Sequence, residues 1–135
     1  MKTQSTLYLV DDDEDDRLFL SEAVRKTVKN VVIIECKDGV EFLEKLGSEP
    51  QIAAPVLVLM DMNMPFMNGL ETIKKLKSVP ALQSIPVIFI STSSSPDLQS
   101  QAFEAGATDF LIKPSTSVGL NQIALNIENQ FAAFL

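Results

Sequence analysis

Short apolar runs alternate with amphipathic stretches along the whole chain. The runs are rich in β-branched residues and carry few polar positions, which is typical of buried strands. They predict five strands, at residues 6–10, 31–36, 56–60, 87–90 and 110–112. After each strand, apolar residues recur every three to four positions, which is the spacing of an amphipathic helix.

Several residues mark where the predicted helices begin and end. Asp38 is suited to the N-cap of the second helix and Gly47 to its end. Pro96 fits the first turn of the fourth helix, because its missing N–H is not needed there. The final helix is expected from about Ser117 to the C-terminus.

Strict alternation of five strands with five helices predicts an α/β fold, with a parallel sheet covered on both faces. Right-handed crossovers make this a doubly wound sandwich. The predicted apolar stripes include Leu18 and Phe19 in the first helix and Val79 at the end of the third. We expect a single domain over residues 1–135, with a core of about 6–130 and no output domain.

Composition and charge narrow the classes of function. With a net charge of -7, the chain repels nucleic acid, so we expect no nucleic-acid partner. It has no histidine, so chemistry must use carboxylates, hydroxyls and lysine. The single cysteine and the lack of a secretory or membrane-spanning run predict a cytoplasmic protein with no membrane contact.

Polar side chains stand where the predicted strands end. They are an acidic pair, a lone acid, a hydroxyl pair and a lysine: Asp11, Asp12, Asp61, Ser91, Thr92 and Lys113. Ligands of such sheets bind at the carboxyl ends of the strands, so we expect these residues to converge. Clustered carboxylates repel one another, and a Mg²⁺ ion with oxygen ligands relieves that repulsion. A carboxylate beside such an ion can attack a phosphoryl donor.

Three motifs carry these residues: LVDDD at residues 9–13, VLVLMDMNMP followed by NG at 56–69, and FLIKP at 110–114. With them the chain resembles the receiver domains of bacterial two-component response regulators, over essentially its whole length. It also resembles the single-domain subgroup associated with phytochrome-type kinases. The resemblance implies a flavodoxin-like strand order, 2-1-3-4-5.

The resemblance implies a role for each matching acid and for the lysine. Asp61 would accept the phosphoryl group. Asp11 and Asp12 would hold one Mg²⁺ ion per chain, together with Asp61 and the backbone carbonyl of Asn63. Lys113 would contact the phosphoryl group.

Further residues match the family's switch and its loops. Ser91 matches the switch hydroxyl and Phe110 the switch aromatic, although a register shift of one would make Thr92 the hydroxyl instead. Pro65 and Gly69 match the loop after the phosphoacceptor. Pro114 follows Lys113 through what is a cis peptide bond in family members.

The implied function is that of a single-domain response regulator. A histidine kinase or phosphotransfer protein would supply the phosphoryl group, and a downstream protein would bind the switched surface. Catalysis would be limited to slow self-phosphorylation and self-dephosphorylation. The apolar end of the last helix, around Phe131, favours a homodimer.

Two other functions are alternatives to a response regulator, and some of the acids have a purely structural explanation. A Mg²⁺-dependent phosphohydrolase with Asp61 as nucleophile needs an acid at the position of Asn63. An FMN carrier needs Gly, Ser or Thr in the first strand-helix loop, which is acidic here. The acids at positions 14–16 are best explained as favouring the macrodipole of the first helix.

Overall fold

The computed structural model describes residues 4–48, 55–64 and 67–133. Strands and helices alternate along these residues, with one short 3₁₀ helix before the fourth strand. The elements are β1 (Ser5–Val10), α1 (Glu14–Thr27), β2 (Val31–Cys36), α2 (Gly39–Gly47), β3 (Val56–Asp61), α3 (Gly69–Lys77), the 3₁₀ helix (Pro80–Leu82), β4 (Val87–Ser91), α4 (Pro96–Glu104), β5 (Asp109–Ile112) and α5 (Ser117–Ala132).

The five strands are all parallel and form one sheet in the order β2-β1-β3-β4-β5. This confirms the predicted fold class and strand order. β1 and β3 are neighbours inside the sheet, and their register pairs Val10 with Met60. The next residues, Asp11 and Asp61, therefore stand side by side at the carboxyl ends of the two strands.

Each face of the sheet is covered by its own apolar layer. On one face, Leu7 and Leu57 pack against α1 and α5. On the other face, Tyr8 and Phe89 pack against α2, α3 and α4. Because β1, β3 and β4 are inner strands that contribute to both layers, their sequences are apolar at almost every position.

The helix ends follow the predicted signals. The Asp38 side chain accepts a hydrogen bond from the Glu41 N–H and caps α2. Pro96 opens α4, as predicted. α3 starts with a capping box that was not predicted, in which the side chains of Asn68 and Glu71 each accept a hydrogen bond from the backbone N–H of the other.

Two predictions about buried helix faces are wrong. Leu18 and Phe19 are 48% and 51% exposed, whereas Leu20 is buried at 1%. Consecutive helical residues point about 100° apart, and the face of α1 that meets the sheet carries Leu20, Ala23 and Val24, so Leu18 and Phe19 point away from it. Val79 lies beyond the end of α3 and is 42% exposed, because the chain leaves the helix after Lys77.

The final helix, α5, is 16 residues long and packs Ile123, Ile127 and Phe131 towards the sheet. Leu125, on another side of the helix, is 51% exposed. Phe131 is only 6% exposed, so the expectation of an exposed apolar helix end at this residue is wrong. The last two residues of the chain lie outside the described residues, so the rest of that expectation stays a prediction. Among the described helices, none combines the length and apolar character required to cross a bilayer.

Candidate functional site

Backbone hydrogen bonds extend the sheet by one residue beyond its carboxyl ends and so fix the backbone of the site. The Asp11 N–H donates to the Cys36 carbonyl at 3.0 Å. On the other side, the Lys113 N–H donates to the Ser91 carbonyl at 2.7 Å. Asp61 is itself the last residue of β3. Residues far apart in sequence are thus held at one edge by the ladder of the sheet.

Three carboxylates converge at this edge. Asp11, Asp12 and Asp61 each bring an oxygen to within 4.8 Å of the others. Asp11 is 0% and Asp61 5% exposed, while Asp12 is open to solvent. The three side chains therefore form a partly buried cup of negative charge, which is costly without a cation.

The two buried acids are oriented in the same way. Oδ1 of Asp11 accepts the Asp13 N–H at 2.9 Å, and Oδ1 of Asp61 accepts the Asn63 N–H at 2.9 Å. Each bond closes a turn of two residues. The second oxygen, Oδ2, of each acid is left to face the middle of the cup.

Lys113 brings its ammonium to these second oxygens. Its Nζ lies 2.9 Å from Oδ2 of Asp11 and 3.0 Å from Oδ2 of Asp61. A third acid, Asp16, approaches it at 2.7 Å through its own Oδ2. Burial lowers the pKa of Lys113, but the bonds to Asp16, Asp11 and Asp61 outweigh burial and raise the pKa above its usual range. The ammonium therefore stays charged at neutral pH.

Burial and the neighbouring carboxylate of Asp61 raise the pKa of Asp11 to about 6. The Asp13 N–H and Lys113 lower the pKa but do not cancel the effect of burial. At pH 7 the Asp11 carboxylate is therefore charged at a cost to the folded state.

The residues present fit a hard divalent cation. Oδ2 of Asp11 is buried and, despite the nearby ammonium, accepts no hydrogen bond of suitable angle. An oxygen in that state gains from a metal ligand bond, since buried acceptors are costly when unsatisfied. Carboxylate oxygens are the ligands that Mg²⁺ takes from proteins. Asn63 lies beside this cup and is exposed; a role for its carbonyl as a ligand stays a prediction.

The two hydroxyl residues at the end of β4 differ in burial. Ser91 is fully buried, and its hydroxyl accepts the Ser93 N–H at 3.1 Å. Thr92 is exposed. Phe110 lies on β5, half-buried against the layer that contains Phe89. Ser91 is the last residue of β4, which starts directly after Pro86.

Gly69 lies where the chain passes close behind the end of β3. A Cβ at this position would stand 2.7 Å from the Phe89 ring and 3.1 Å from the Asp61 carbonyl oxygen. Its own N–H donates to the Met62 carbonyl at 3.1 Å. A larger residue there would force the Phe89 ring to shift and would crowd the Asp61 carbonyl. Pro65, from the same loop, lies outside the described residues.

One site prediction is wrong. No peptide bond between described residues is cis, so the bond from Lys113 to Pro114 is trans. A trans bond before proline is intrinsically favoured by about 0.5–1 kcal/mol. The expectation of a cis bond came from the resemblance alone and not from a local signal in this sequence.

Two residues that contact the site were not identified from the sequence. Asp16 was assigned to the helix macrodipole, yet it forms the shortest ion pair of Lys113. A usable signal existed, because Asp16 precedes the buried Leu20 by four residues and so lies on the same face of α1. Arg17 was overlooked: its guanidinium donates to the Asp11 carbonyl at 2.6 Å and to Glu35 at 3.2 Å.

Comparison with known proteins agrees with this arrangement of acids and lysine. The family model of the response regulator receiver domain matches residues 7–124. The chain belongs to this family. This confirms the resemblance seen in the sequence. A phosphoacceptor signalling role fits a receiver domain, and none of the comparisons favours a phosphohydrolase.

Sequence relatives of this receiver domain include rice proteins. It is 34% identical over 114 residues to the two-component response regulator ORR7 of Oryza sativa subsp. japonica, covering 84% of this chain and 52% of that protein. It is 37% identical over 105 residues to ORR11 of the subspecies indica, covering 78% and 68%. The chain thus spans about half the length of ORR7.

Solved structures match the receiver domain over nearly its full length. The phosphorylated cyanobacterial phytochrome response regulator RcpA is 27% identical with a TM-score of 0.85, covering 98% of this chain and 96% of that one. The Mn²⁺-bound form of the response regulator Rcp1 is 25% identical with a TM-score of 0.77, covering 92% and 91%.

Proposed function

We propose that this receiver domain accepts a phosphoryl group on Asp61 with the help of Mg²⁺ and converts it into a change of its protein-binding surface. The observation that carries the proposal is the placement of Asp61. Its carboxylate ends the central strand, almost buried, beside two further acids and within 3.0 Å of the Lys113 ammonium. Few other uses explain why three acids share one edge with a lysine.

The Mg²⁺ site would consist of Asp11, Asp12 and Asp61 with the backbone carbonyl of Asn63. The convergence of the three carboxylates supports this choice, and so does the buried Oδ2 of Asp11, which has an ion pair with Lys113 but no hydrogen bond of good geometry. A structure of the similar regulator Rcp1 holds Mn²⁺, which prefers the same oxygen ligands. When bound, Mg²⁺ offsets negative charge on the carboxylates and on the transferring phosphoryl group.

Transfer makes one bond and breaks one. A carboxylate oxygen of Asp61 attacks the phosphorus of a phosphohistidine on a histidine kinase or phosphotransfer protein. The new O–P bond forms an acyl phosphate, the P–N bond breaks, and the leaving imidazole takes up a proton. Lys113 needs no proton transfer in this step, because its role is to place positive charge against the phosphoryl oxygens.

The response would pass through Ser91 and Phe110. The Ser91 hydroxyl is inside the sheet edge, whereas Thr92 points to solvent, so Ser91 is the better switch hydroxyl. New charge on Asp61 would draw this hydroxyl inward and let the half-buried Phe110 ring move behind it. A local charge change that biases a two-state side chain is a common form of switch.

The switched surface would be made by α4, β5 and α5. Apolar side chains on these elements are about half exposed, among them Phe103, Ile112 and Leu125. Such residues suit a protein partner better than nucleic acid, which the net charge of -7 repels. A downstream protein is therefore proposed as the partner, with a homodimer through α5 as a second use of Val118 and Leu125.

The proposal is tested by incubating the protein with acetyl phosphate and Mg²⁺ and measuring its intact mass. We expect a gain of one phosphoryl group per chain, and no gain when EDTA removes the metal. Steady hydrolysis of a small phosphate ester, at more than a few turnovers per minute and without a labelled chain, would instead favour a phosphohydrolase.

A further inference from the structure

The Lys113 ammonium stands at the oxygens that an incoming metal ion needs. The Oδ1 atoms of Asp11 and Asp61 accept backbone N–H groups, so the Oδ2 atoms, which face the ammonium, are the ones that a cation would take. Both Oδ2 atoms lie within 3.0 Å of Nζ. A divalent cation that binds these atoms must push the ammonium aside, since two positive charges repel at such distances.

Asp16 offers the displaced ammonium a carboxylate partner outside the cup. Its Oδ2 is 2.7 Å from Nζ, closer than either acid of the cup. Asp16 nevertheless stands apart from the described acids that converge, which are Asp11, Asp12 and Asp61. Its side chain is 37% exposed on the first turn of α1, so it contacts the lysine from the rim of the cup.

We propose that Asp16 is a positioning residue that keeps hold of the Lys113 ammonium when a divalent cation takes the Oδ2 atoms of Asp11 and Asp61. The ammonium then turns towards Asp16 without losing its last carboxylate partner. Asp16 in this way strengthens metal binding without being a ligand. The inference rests on the proposed function, because it assumes that Mg²⁺ binds in this cup.

Asp15 provides a matched control. It belongs to the same acidic first turn of α1 and carries the same charge, but it is exposed. It precedes the exposed Phe19 by four residues, as Asp16 precedes the buried Leu20. Asp15→Asn therefore removes a nearby charge without touching Lys113.

The test is a titration of Mg²⁺ into the full chain by calorimetry, with Asp16→Asn and Asp15→Asn compared. We expect Asp16→Asn to raise the Kd by about tenfold, the effect of losing one partly buried charge-assisted contact. Asp15→Asn should change it by less than about twofold, because an exposed charge is screened by solvent and salt. Asp16→Glu keeps the carboxylate and should restore part of the affinity.

A double-mutant cycle separates an effect through the lysine from an effect of charge alone. In a Lys113→Ala background, Asp16→Asn should weaken Mg²⁺ binding no more than Asp15→Asn does. Lys113→Gln serves as the uncharged background if Lys113→Ala does not fold. An equal loss of affinity with and without the lysine would overturn the inference, and so would identical effects of Asp16→Asn and Asp15→Asn in the native background.

The same titration distinguishes this inference from the function beneath it. If the native chain binds no Mg²⁺, the proposed function itself fails and the inference falls with it. If the native chain binds Mg²⁺ and Asp16→Asn binds it equally well or more tightly, only the role of Asp16 is wrong.

Discussion

Acids at the end of β1 and acids in the first turn of α1 are neighbours in sequence but stand in opposite surroundings. Asp11 is fully buried, faces Lys113 and has a pKa raised to about 6 by burial. Asp13, Glu14 and Asp15 are exposed at the start of a helix, where negative charge is favourable. All of these residues are carboxylates with the same charge, so their position in the fold separates a costly acid from a stabilising one.

By its position in the sequence, Asp16 belongs to the acids of the first turn of α1. By its contacts, it belongs with Asp11, because both residues pair with Lys113. It lies in the same helical turn as Glu14 and Asp15, yet it forms an ion pair with the lysine of the site. The boundary of the site therefore runs through a single turn of α1. Substitution of one acid at a time shows on which side of this boundary each residue lies.

The largest effect is expected for the acid that ends β3. Asp61→Asn should abolish phosphoryl labelling by acetyl phosphate, because the amide cannot attack phosphorus as a carboxylate does. Intact-mass measurement checks this, with Asp15→Asn labelled as fully as the native chain. Labelling that persists in Asp61→Asn would show that Asp61 is not the phosphoacceptor.

The next effect concerns stability without metal. Asp11→Asn should raise the free energy of unfolding at pH 7.5 by roughly 1–3 kcal/mol, because it removes a buried charge whose pKa is raised. The folded pKa lies above the unfolded value, so the penalty on the native chain is full above about pH 6 and fades between about pH 6 and 4. Urea unfolding in EDTA across this range measures the gain.

The Asp11→Asn variant should also lose most of the stabilisation that bound Mg²⁺ provides. Saturating Mg²⁺ is expected to raise the free energy of unfolding of the native chain, because the ion binds only the folded state, and to raise that of Asp11→Asn much less. An Asp11→Asn protein that is less stable than the native chain in EDTA would show that the carboxylate at this position is not under strain.

A smaller effect is expected at the helix start. The Asp13 side chain accepts the Asp16 N–H at 3.0 Å and caps α1. Asp13→Ala should therefore destabilise the chain by about 1 kcal/mol. Labelling of Asp61 should persist, since the bond from position 13 to Asp11 is made by its backbone N–H. Thermal unfolding and intact mass on one preparation check both statements.

The smallest effect is expected at Asp15. Asp15→Asn should lower stability by only about 0.3 kcal/mol, since a screened charge near the helix N-terminus contributes little. Denaturant midpoints of the two proteins measured side by side are sufficient to show this. A loss of more than about 1 kcal/mol would place Asp15 among the acids with a specific partner.

Much of this organisation could be predicted from the sequence. The inner strands are apolar throughout because helices cover both of their faces, so β3 and β4 were located to within a residue. The convergence of Asp11, Asp61 and Lys113 followed from topology, because carboxyl ends of parallel strands meet at one edge. Neither step required knowledge of side-chain contacts.

Other features depend on contacts that no local pattern specifies. The ion pair of Asp16 with Lys113 joins the first turn of α1 to the residue after β5. In the sequence, Asp16 cannot be distinguished from its acidic neighbours, because acids are common at the start of any helix. The exposure of Leu18 and Phe19 depends on how α1 is rotated against the sheet. The bond before Pro114 is trans, whereas the resemblance implied a cis bond, and no residue pattern in the sequence distinguishes the two.

The residue that carries the phosphoryl group can be identified chemically. Borohydride reduces an aspartyl phosphate to homoserine, which peptide mass spectrometry can place in the labelled chain. The account predicts homoserine at position 61 and intact aspartate at positions 11, 12 and 16. Homoserine at one of those other acids, or a stable phosphate ester on Ser91 or Thr92, would contradict it.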